Sequence, residues 1–208
     1  MKLKEIVTIQ AGHPFRGKIT ESKTGEHFVV QMKDVSPDGA LGELDWENLT
    51  CTELQGRKAP VWLSQGDTLF VARGGRNHAV YINHVPKPVV CAQLFFLLRI
   101  EPQVRGKIQP EFITWLINNR QSQRYFEVDA QGVTQSYAQR NITRGVLEEM
   151  PVIMPPLEEQ RKIVFLFETA KRERQAHLAL IDNRQYELNA ITTQFYQQFD
   201  KPAEGHHE

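Results

Sequence analysis

The sequence contains little cysteine and no long apolar run. Cys51 and Cys91 are the only cysteines in 208 residues, and two thiols without a secretory signal indicate a reduced state rather than a disulfide framework. No apolar run approaches the roughly 18 residues that a membrane-spanning helix needs. Residues 1–5 lack the continuous apolar stretch of a signal peptide. We therefore expect a cytoplasmic protein that does not contact a membrane.

The sequence also lacks the short motifs of common catalytic and cofactor sites. Gly-x-Gly-x-x-Gly, the phosphate-binding Gly-x-x-x-x-Gly-Lys-Ser/Thr, Gly-x-Ser-x-Gly, His-Glu-x-x-His and Cys-x-x-Cys are all missing. Residues 154–157 share only Pro-Pro with the Asn/Asp-Pro-Pro-aromatic motif of adenine-amino methyltransferases, which needs a polar acceptor and an aromatic face. We predict no catalytic residue, no cofactor and no metal site, which makes a small enzyme the least favoured class.

Charge is balanced in number but not in distribution. The chain has 25 basic and 25 acidic residues, whereas a DNA-binding protein that acts alone is usually more basic. Between Asp34 and Glu53 there are six acidic residues and no lysine or arginine, while basic residues gather near Arg16, Arg73 and Arg140. Random scatter over the surface and a basic contact face are both compatible with this pattern.

The patterning of residues 1–154 predicts a mixed α/β (α+β) globular domain. We expect a short helix that ends at Gly12 and a second helix from Pro110, because proline suits the first position of a helix. Runs rich in β-forming and apolar residues predict strands. They cover 26–32, 61–73 as a hairpin, 79–82, 89–100 as a central strand, and 152–154.

A long helix is predicted over residues 155–200, followed by a disordered tail over 201–208. No glycine or proline occurs from Leu157 to Phe199. Apolar residues recur there in steps of three and four, which is typical of a coiled coil, with an interruption over 171–174. One domain cannot bury this stripe along its whole length, so we expect a dimer interface formed by Ile163, Phe167, Leu178, Ile181, Leu188, Ile191 and Phe195.

Three polar loops share a composition suited to DNA contact. Arginine, asparagine and glutamine can form paired hydrogen bonds with base edges, and cations in the first loop could hold phosphates. The alternative is that these are ordinary solvated loop residues. The candidate DNA-binding residues are Arg16, Lys18, Arg73, Gly74, Arg76, Asn77, His78, Gln135, Ser136, Tyr137, Arg140 and Asn141.

Two segments carry a family resemblance. Residues 65–74, Gln-Gly-Asp-Thr-Leu-Phe-Val-Ala-Arg-Gly, resemble a segment of the specificity subunits of Type I restriction-modification enzymes. Residues 149–163 contain Pro-Pro-Leu-x-x-Gln-x-x-Ile and resemble the junction where a target recognition domain passes into the conserved spacer helix of those subunits. The stretch from Gly132 to Ile142 is similar in style, so the resemblance covers nearly all of residues 1–200.

The resemblance implies a non-catalytic DNA-sequence-recognition subunit. Its domain would read a short DNA half-site, and its helix would pack antiparallel on another helix to form a coiled coil that sets the spacing between two domains. Methylation and cleavage would belong to separate subunits, so S-adenosylmethionine is expected on a partner methyltransferase. Whether a restriction (nuclease) subunit joins the complex stays open.

The chain departs from the usual subunit in length. Such a subunit carries two recognition domains and two helices, whereas only one of each is predicted here. Met1 and the end of the helix favour a natural half-length subunit that pairs with its own copy over a truncation. The alternative function is a coiled-coil assembly protein that does not bind DNA. The bases that are read cannot be predicted, because readout depends on loop geometry.

Overall fold

The computed structural model describes residues 1–22, 24–37, 41–54, 59–74, 76–131 and 140–199, without the side chains of 129–131, 140 and 199. Met1–Phe167 form one compact unit and Glu168–Glu208 a second. The strands are β1 Val7–Ala11, β2 His27–Val30, β3 Val35–Ser36, β4 Glu43–Leu44, β5 Thr50–Thr52, β6 Thr68–Val71, β7 Arg73–Gly74, β8 Ala79–Tyr81, β9 Val89–Cys91, β10 Phe95–Ile100 and β11 Arg140–Asn141. The helices are α1 Pro110–Asn118, α2 Arg120–Gln131, α3 Arg144–Glu149 and α4 Leu157–Phe199.

A four-stranded antiparallel sheet forms the middle of the first unit. Its strand order is β1-β10-β6-β8. All four residues of β6 are buried, because both faces of the sheet are covered. The prediction of a central strand near residue 95 is therefore confirmed for β10, whereas β9 is a separate strand that pairs with β2 in the three-stranded sheet β5-β2-β9.

Two apolar cores lie on the two faces of this middle sheet. Successive strand residues point to opposite faces, so Phe70 and Leu98 pack with the helices in one core. Leu69 and Leu97 point the other way and pack with the three-stranded sheet. The predicted mixed α/β domain followed by a long helix is confirmed in this form.

Several local predictions are wrong. The chain opens with a single 3-10 turn over Leu3–Glu5 and then enters β1, because Val7 and Ile9 are buried in a strand rather than on a helix. Gly12 is needed for close approach instead: a Cβ there would lie 2.1 Å from the Ala92 carbonyl oxygen. Residues 59–67 and 152–154 contain no named strand, so neither the predicted hairpin nor the last strand forms. Helices α2 and α3 were not predicted.

The Gly-Asp pair of the resembling segment has a structural role. The Asp67 carboxylate is buried and accepts a 2.7 Å hydrogen bond from the Ser64 amide. Arg99 on β10 donates to both carboxylate oxygens of Asp67, from Nε at 2.8 Å and from Nη2 at 2.7 Å. Bidentate pairing of this kind is strong and specific in geometry. It therefore fixes the turn before β6 against the neighbouring strand.

Replacing Arg99 with leucine should lower the free energy of unfolding by about 3 kcal/mol. The substitution leaves the buried carboxylate without its cation, and breaking buried pairs costs about 3–5 kcal/mol; the partial exposure of Arg99 places the effect at the lower end. Urea unfolding measures it. The double variant Asp67→Asn with Arg99→Leu should recover part of the loss. A loss below about 1 kcal/mol would show that the pair does not stabilise the sheet.

The first turns of α4 are joined to the globular unit through Gln160. This side chain is fully buried. Its Oε1 accepts from the Gln109 amide at 2.9 Å, and its Nε2 donates to the carbonyls of Lys107 at 3.1 Å and Pro155 at 2.8 Å. Val164, one turn further on, is buried in the apolar core. The glutamine of the resembling junction therefore ties the start of the helix to the loop before α1.

Candidate nucleic-acid interface

The structure brings two of the three predicted loops together as a short two-stranded ribbon. β7 pairs antiparallel with β11, with Arg73 opposite Asn141 and Gly74 opposite Arg140. The Ile142 amide extends the pairing by donating to the Ala72 carbonyl at 2.9 Å. Side chains directly opposite each other in an antiparallel pair lie on the same face. Arg73 and Asn141, both exposed, are therefore neighbours although they are 68 positions apart.

The ribbon is held in place by two residues, half-buried Gly74 and buried Asn77. Gly74 has a φ of 154°, which residues with a side chain rarely adopt, and a Cβ there would lie 2.9 Å from the Met32 methyl group. The Asn77 amide donates to the carbonyls of Val71 at 2.9 Å and Ala72 at 3.1 Å. These bonds close the turn between β7 and β8 and so set the position of Arg73.

A cleft of about 450 Å³ lies beside the ribbon. It is bordered by the end of β1 and the residues after it, by the segment from β6 into β7, and by the segment from β11 into α3. None of the described residues that line it is acidic. They are Ala11, Gly12, His13, Pro14, Ala59, Val61, Ala72, Arg73, Gln93, Phe96, Asn141, Ile142, Thr143 and Arg144.

The two cations of this cleft differ in how firmly they are paired. Arg73 is exposed and makes no ion pair within the described part of the chain. Arg144 pairs through Nε with Glu148, one turn later on α3, at 2.7 Å. Exposed pairs of this kind are weak, so Arg144 can still turn toward an anion. The cleft thus offers one unpaired and one weakly paired guanidinium beside two amides, Gln93 and Asn141.

The remaining candidate DNA-binding residues differ in exposure, and some lie outside the described residues. Arg16 and Lys18 are exposed on the loop after β1. Asn77 and His78 are only 2% and 6% exposed, so their burial opposes the direct contact with bases that their loop position had suggested, and Asn77 has the structural role described above. Gln135, Ser136 and Tyr137 lie outside the described residues, and so does the side chain of Arg140.

Four polar residues of the cleft were not predicted as site residues: His13, Gln93, Thr143 and Arg144. Gln93 lies in the turn between β9 and β10, within a stretch that the apolar pattern predicted as one strand. His13 follows Gly12, whose close approach to Ala92 places it at the rim. Only Arg144 carried a sequence signal, since it lies four residues after Arg140 in a basic group.

The seam predicted on α4 is mostly accessible. Leu178, Ile181, Leu188, Ile191 and Phe195 are each about half or more exposed. Ile163 differs, because it is partly buried against the core of the first unit. Phe167 contacts the ring of Trp115, with ring centroids 5.6 Å apart. These two residues of the predicted interface therefore already have contacts within the globular unit, although Phe167 is still 42% exposed.

The described residues provide neither a membrane-spanning helix nor a cluster of metal ligands. None of the described helices is both long and apolar enough to span a bilayer. Over the same residues, no three histidine, cysteine, aspartate or glutamate side chains cluster as metal ligands would. Cys51 and Cys91 are free thiols, and burial raises the pKa of the Cys91 thiol to about 12, which makes it unreactive.

A family model, described as the Type I restriction modification DNA specificity domain, matches residues 1–178. The chain belongs to this family. Members recognise DNA within a restriction-modification complex and are not themselves catalytic. The match includes the ribbon, the cleft and the start of α4, so the resemblance inferred from residues 65–74 and 149–163 is confirmed.

Solved structures show the same fold. The HsdS subunit from Thermoanaerobacter tengcongensis has a TM-score of 0.51 and 19% identity over 85% of this chain and 38% of its own. The S subunit from M. genitalium has a TM-score of 0.50 and 12% identity, and the match covers 97% of this chain and 46% of that subunit. A third match is a chain from a structure that describes complex assembly and conformational transition of the type I R-M system. It has a TM-score of 0.51 and 18% identity, and the match covers 95% of this chain and 43% of that chain. The chain thus spans less than half the length of these proteins. Among curated proteins, nothing matched.

Proposed function

We propose that this chain reads DNA sequence for a Type I restriction-modification complex by presenting the β7–β11 ribbon to a DNA groove. The observation that carries the proposal is the pairing of Arg73 with Asn141 at the rim of a cleft without acidic side chains. A two-stranded ribbon fits the major groove, where arginine pairs with guanine and asparagine with adenine. Arg16, Lys18 and Arg140 would hold phosphates, which position the ribbon without reading sequence.

The chemistry would be supplied by partner subunits. A methyltransferase subunit would bind S-adenosylmethionine and accept the target adenine, and a restriction subunit could join the same complex. Residues 1–154 would form the recognition domain and residues 155–200 the spacer helix. A restriction system acts on DNA inside the cell, so the proposed location is the cytoplasm.

We further propose a homodimer through an antiparallel coiled coil of α4. The exposed apolar residues Leu178, Ile181, Leu188, Ile191 and Phe195 would form a patch larger than soluble monomers usually expose. A second copy related by a twofold axis would cover it with the same residues. The dimer would then provide the two recognition domains that one chain of a usual subunit carries.

The alternative function, an assembly protein that uses the coiled coil without binding DNA, is less well supported. It would explain the exposed seam of α4. It would not explain why the family match covers the globular unit, or why Arg73 and Asn141 are brought together from distant parts of the sequence.

Replacing Arg73 with alanine should cost about 1–3 kcal/mol in binding to the cognate site and should relax specificity at one base pair. Lys18→Ala should instead weaken cognate and mismatched duplexes by the same factor, because a phosphate contact carries no sequence information. Fluorescence-anisotropy titrations of the chain in complex with its methyltransferase subunit distinguish the two effects.

Glu148→Ala is the matched control for this experiment. It frees Arg144 from its ion pair without removing a predicted contact, so binding should be equal or slightly tighter. The assignment is wrong if Arg73→Ala, Arg140→Ala and Asn141→Ala all leave affinity and specificity unchanged.

A further inference from the structure

A second cleft has a volume of about 330 Å³ and is lined in part by the residues of the β7–β8 turn that precede β8. Arg73 lines the first cleft, whereas Arg76 and His78 line the second. Three residues span at most about 11 Å of chain, so the two arginines stay within reach of one strand of a duplex. Among the residues that the structure describes, none that lines the second cleft is acidic either. Its lining residues are Pro37, Arg76, His78, Trp115, Asn118, Asn119, Arg120, Gln123 and Phe167.

The amides of this cleft already have backbone partners. Asn118 binds both the amide and the carbonyl of Ala79, at 2.7 and 2.8 Å. Asn119 accepts from the amides of Gln121 and Ser122 in the first turn of α2. Gln123 donates to the Ile117 carbonyl at 2.9 Å. These bonds fix the walls of the cleft. They do not involve its charged side chains, which are therefore available to bind a ligand.

Those charged groups are two exposed guanidiniums, Arg76 and Arg120, which form no ion pair with any described residue. Like charges that line one small cleft repel each other unless an anion lies between them. Arg120 is also the first residue of the 12-residue helix α2, and the start of a helix carries partial positive charge.

His78 gives an independent sign of a missing ligand. Its ring is buried and lines the cleft, yet its Nε2 has no hydrogen-bond partner among the described residues. Its Nδ1 lies 3.2 Å from the Arg76 carbonyl, which can only accept, so Nδ1 carries the proton and Nε2 is an acceptor. Burial lowers the pKa of His78, which keeps the ring neutral. A water molecule bound to an anion in the cleft could donate to Nε2.

We propose that Arg76 and Arg120 together hold one DNA backbone phosphate in this second cleft, outside the surface that reads bases. The inference rests on the proposed function, because it places a base contact, Arg73, and a phosphate contact, Arg76, at the two ends of the same β7–β8 turn. Continuity with the first cleft through a single turn favours a DNA phosphate over an acidic segment of a protein partner.

The salt dependence of DNA binding tests the proposal directly. Each phosphate contact contributes about 0.9 to the slope of log K against log salt. Arg120→Ala should therefore reduce the slope by about 0.9 and weaken binding roughly eightfold at 0.1 M salt, equally on cognate and mismatched duplexes. Arg76→Ala should do the same, and the double variant should lose little more, since both residues contact one phosphate.

Arg124→Ala is the matched control. Arg124 is an exposed arginine one turn further along α2 and does not line the cleft, so its removal should leave the slope unchanged. All variants are measured in complex with the methyltransferase subunit after thermal unfolding has shown equal stability.

Three results would overturn the proposal. Equal loss of slope in Arg124→Ala would indicate general electrostatic attraction. An unchanged slope in Arg120→Ala, with weaker assembly with the methyltransferase, would assign the cleft to an acidic protein segment. Failure of the wild-type complex to bind any duplex would refute the proposed function and this inference with it. If the wild type binds and only the slope prediction fails, the proposed function stands.

Discussion

Replacing both Ile181 and Leu188 with aspartate should convert the proposed dimer into a monomer. Each substitution places an unpaired carboxylate in the proposed seam, and each appears twice in a symmetric dimer. An uncompensated buried charge costs about 3 kcal/mol or more, which corresponds to an increase in Kd of at least about a hundredfold for each substitution. Sedimentation velocity at micromolar concentration measures the change.

The control places the same charges on the other side of the helix. Asn183→Asp and Ala190→Asp lie two positions after the seam residues, or about 200° around the helix, and should leave the dimer intact. A wild-type chain that sediments as a monomer in the complex would contradict the half-subunit account. So would a dimer that survives both seam substitutions.

Deleting residues 169–175 should abolish methylation at the original target of the complex. The deletion removes seven residues, which preserves the heptad phase of the seam and spares every large seam residue from Leu178 onward. It shortens the helix by about 10.5 Å at 1.5 Å per residue. In the proposed antiparallel pair both copies carry the deletion, so each recognition domain moves by this distance toward the twofold axis. The two domains therefore approach each other by about 21 Å, and the unread gap should shrink by about 6 base pairs at 3.4 Å each.

The matched control keeps the length and changes the sequence. Replacing residues 169–175 with seven alanines retains the helix, so methylation should stay at the original spacing. If the deletion variant still methylates the original site, or if the alanine variant changes the spacing, helix length does not set the gap.

The long helix and the junction before it could be predicted well from the sequence. The lack of glycine and proline over 157–199 and the apolar residues in steps of three and four predicted a helix, and α4 covers this range. The Pro-Pro-Leu-x-x-Gln-x-x-Ile pattern carried the family likeness. The structure adds its physical reason, which is the buried Gln160 with hydrogen bonds to residues 107, 109 and 155.

The recognition surface could be predicted only in part. Composition identified Arg73 and Asn141 as candidates, but not their pairing, because strand pairing between distant segments has no local signal. The loop position of Asn77 also predicted a contact with DNA. In the structure its side chain points inward instead and donates hydrogen bonds to two backbone carbonyls. Apolar spacing at the N-terminus failed for a similar reason, since Ile6, Val7 and Ile9 fit a helix as well as a buried strand.

The proposed target symmetry follows from the proposed homodimer. Two identical readers related by a twofold axis meet the two strands in the same way and must read an inverted repeat. A usual subunit with two different domains has no such restriction. The proposed homodimer therefore predicts a palindrome in two parts with unread base pairs between them.

Methylome sequencing of cells that produce the chain together with an adenine methyltransferase subunit tests the central claim most directly. The account predicts adenine methylation at a two-part palindrome that disappears when the chain is omitted and when the methyltransferase is omitted. Methylation that does not depend on the chain would contradict its role in DNA specificity, and an asymmetric two-part motif would contradict the half-subunit dimer.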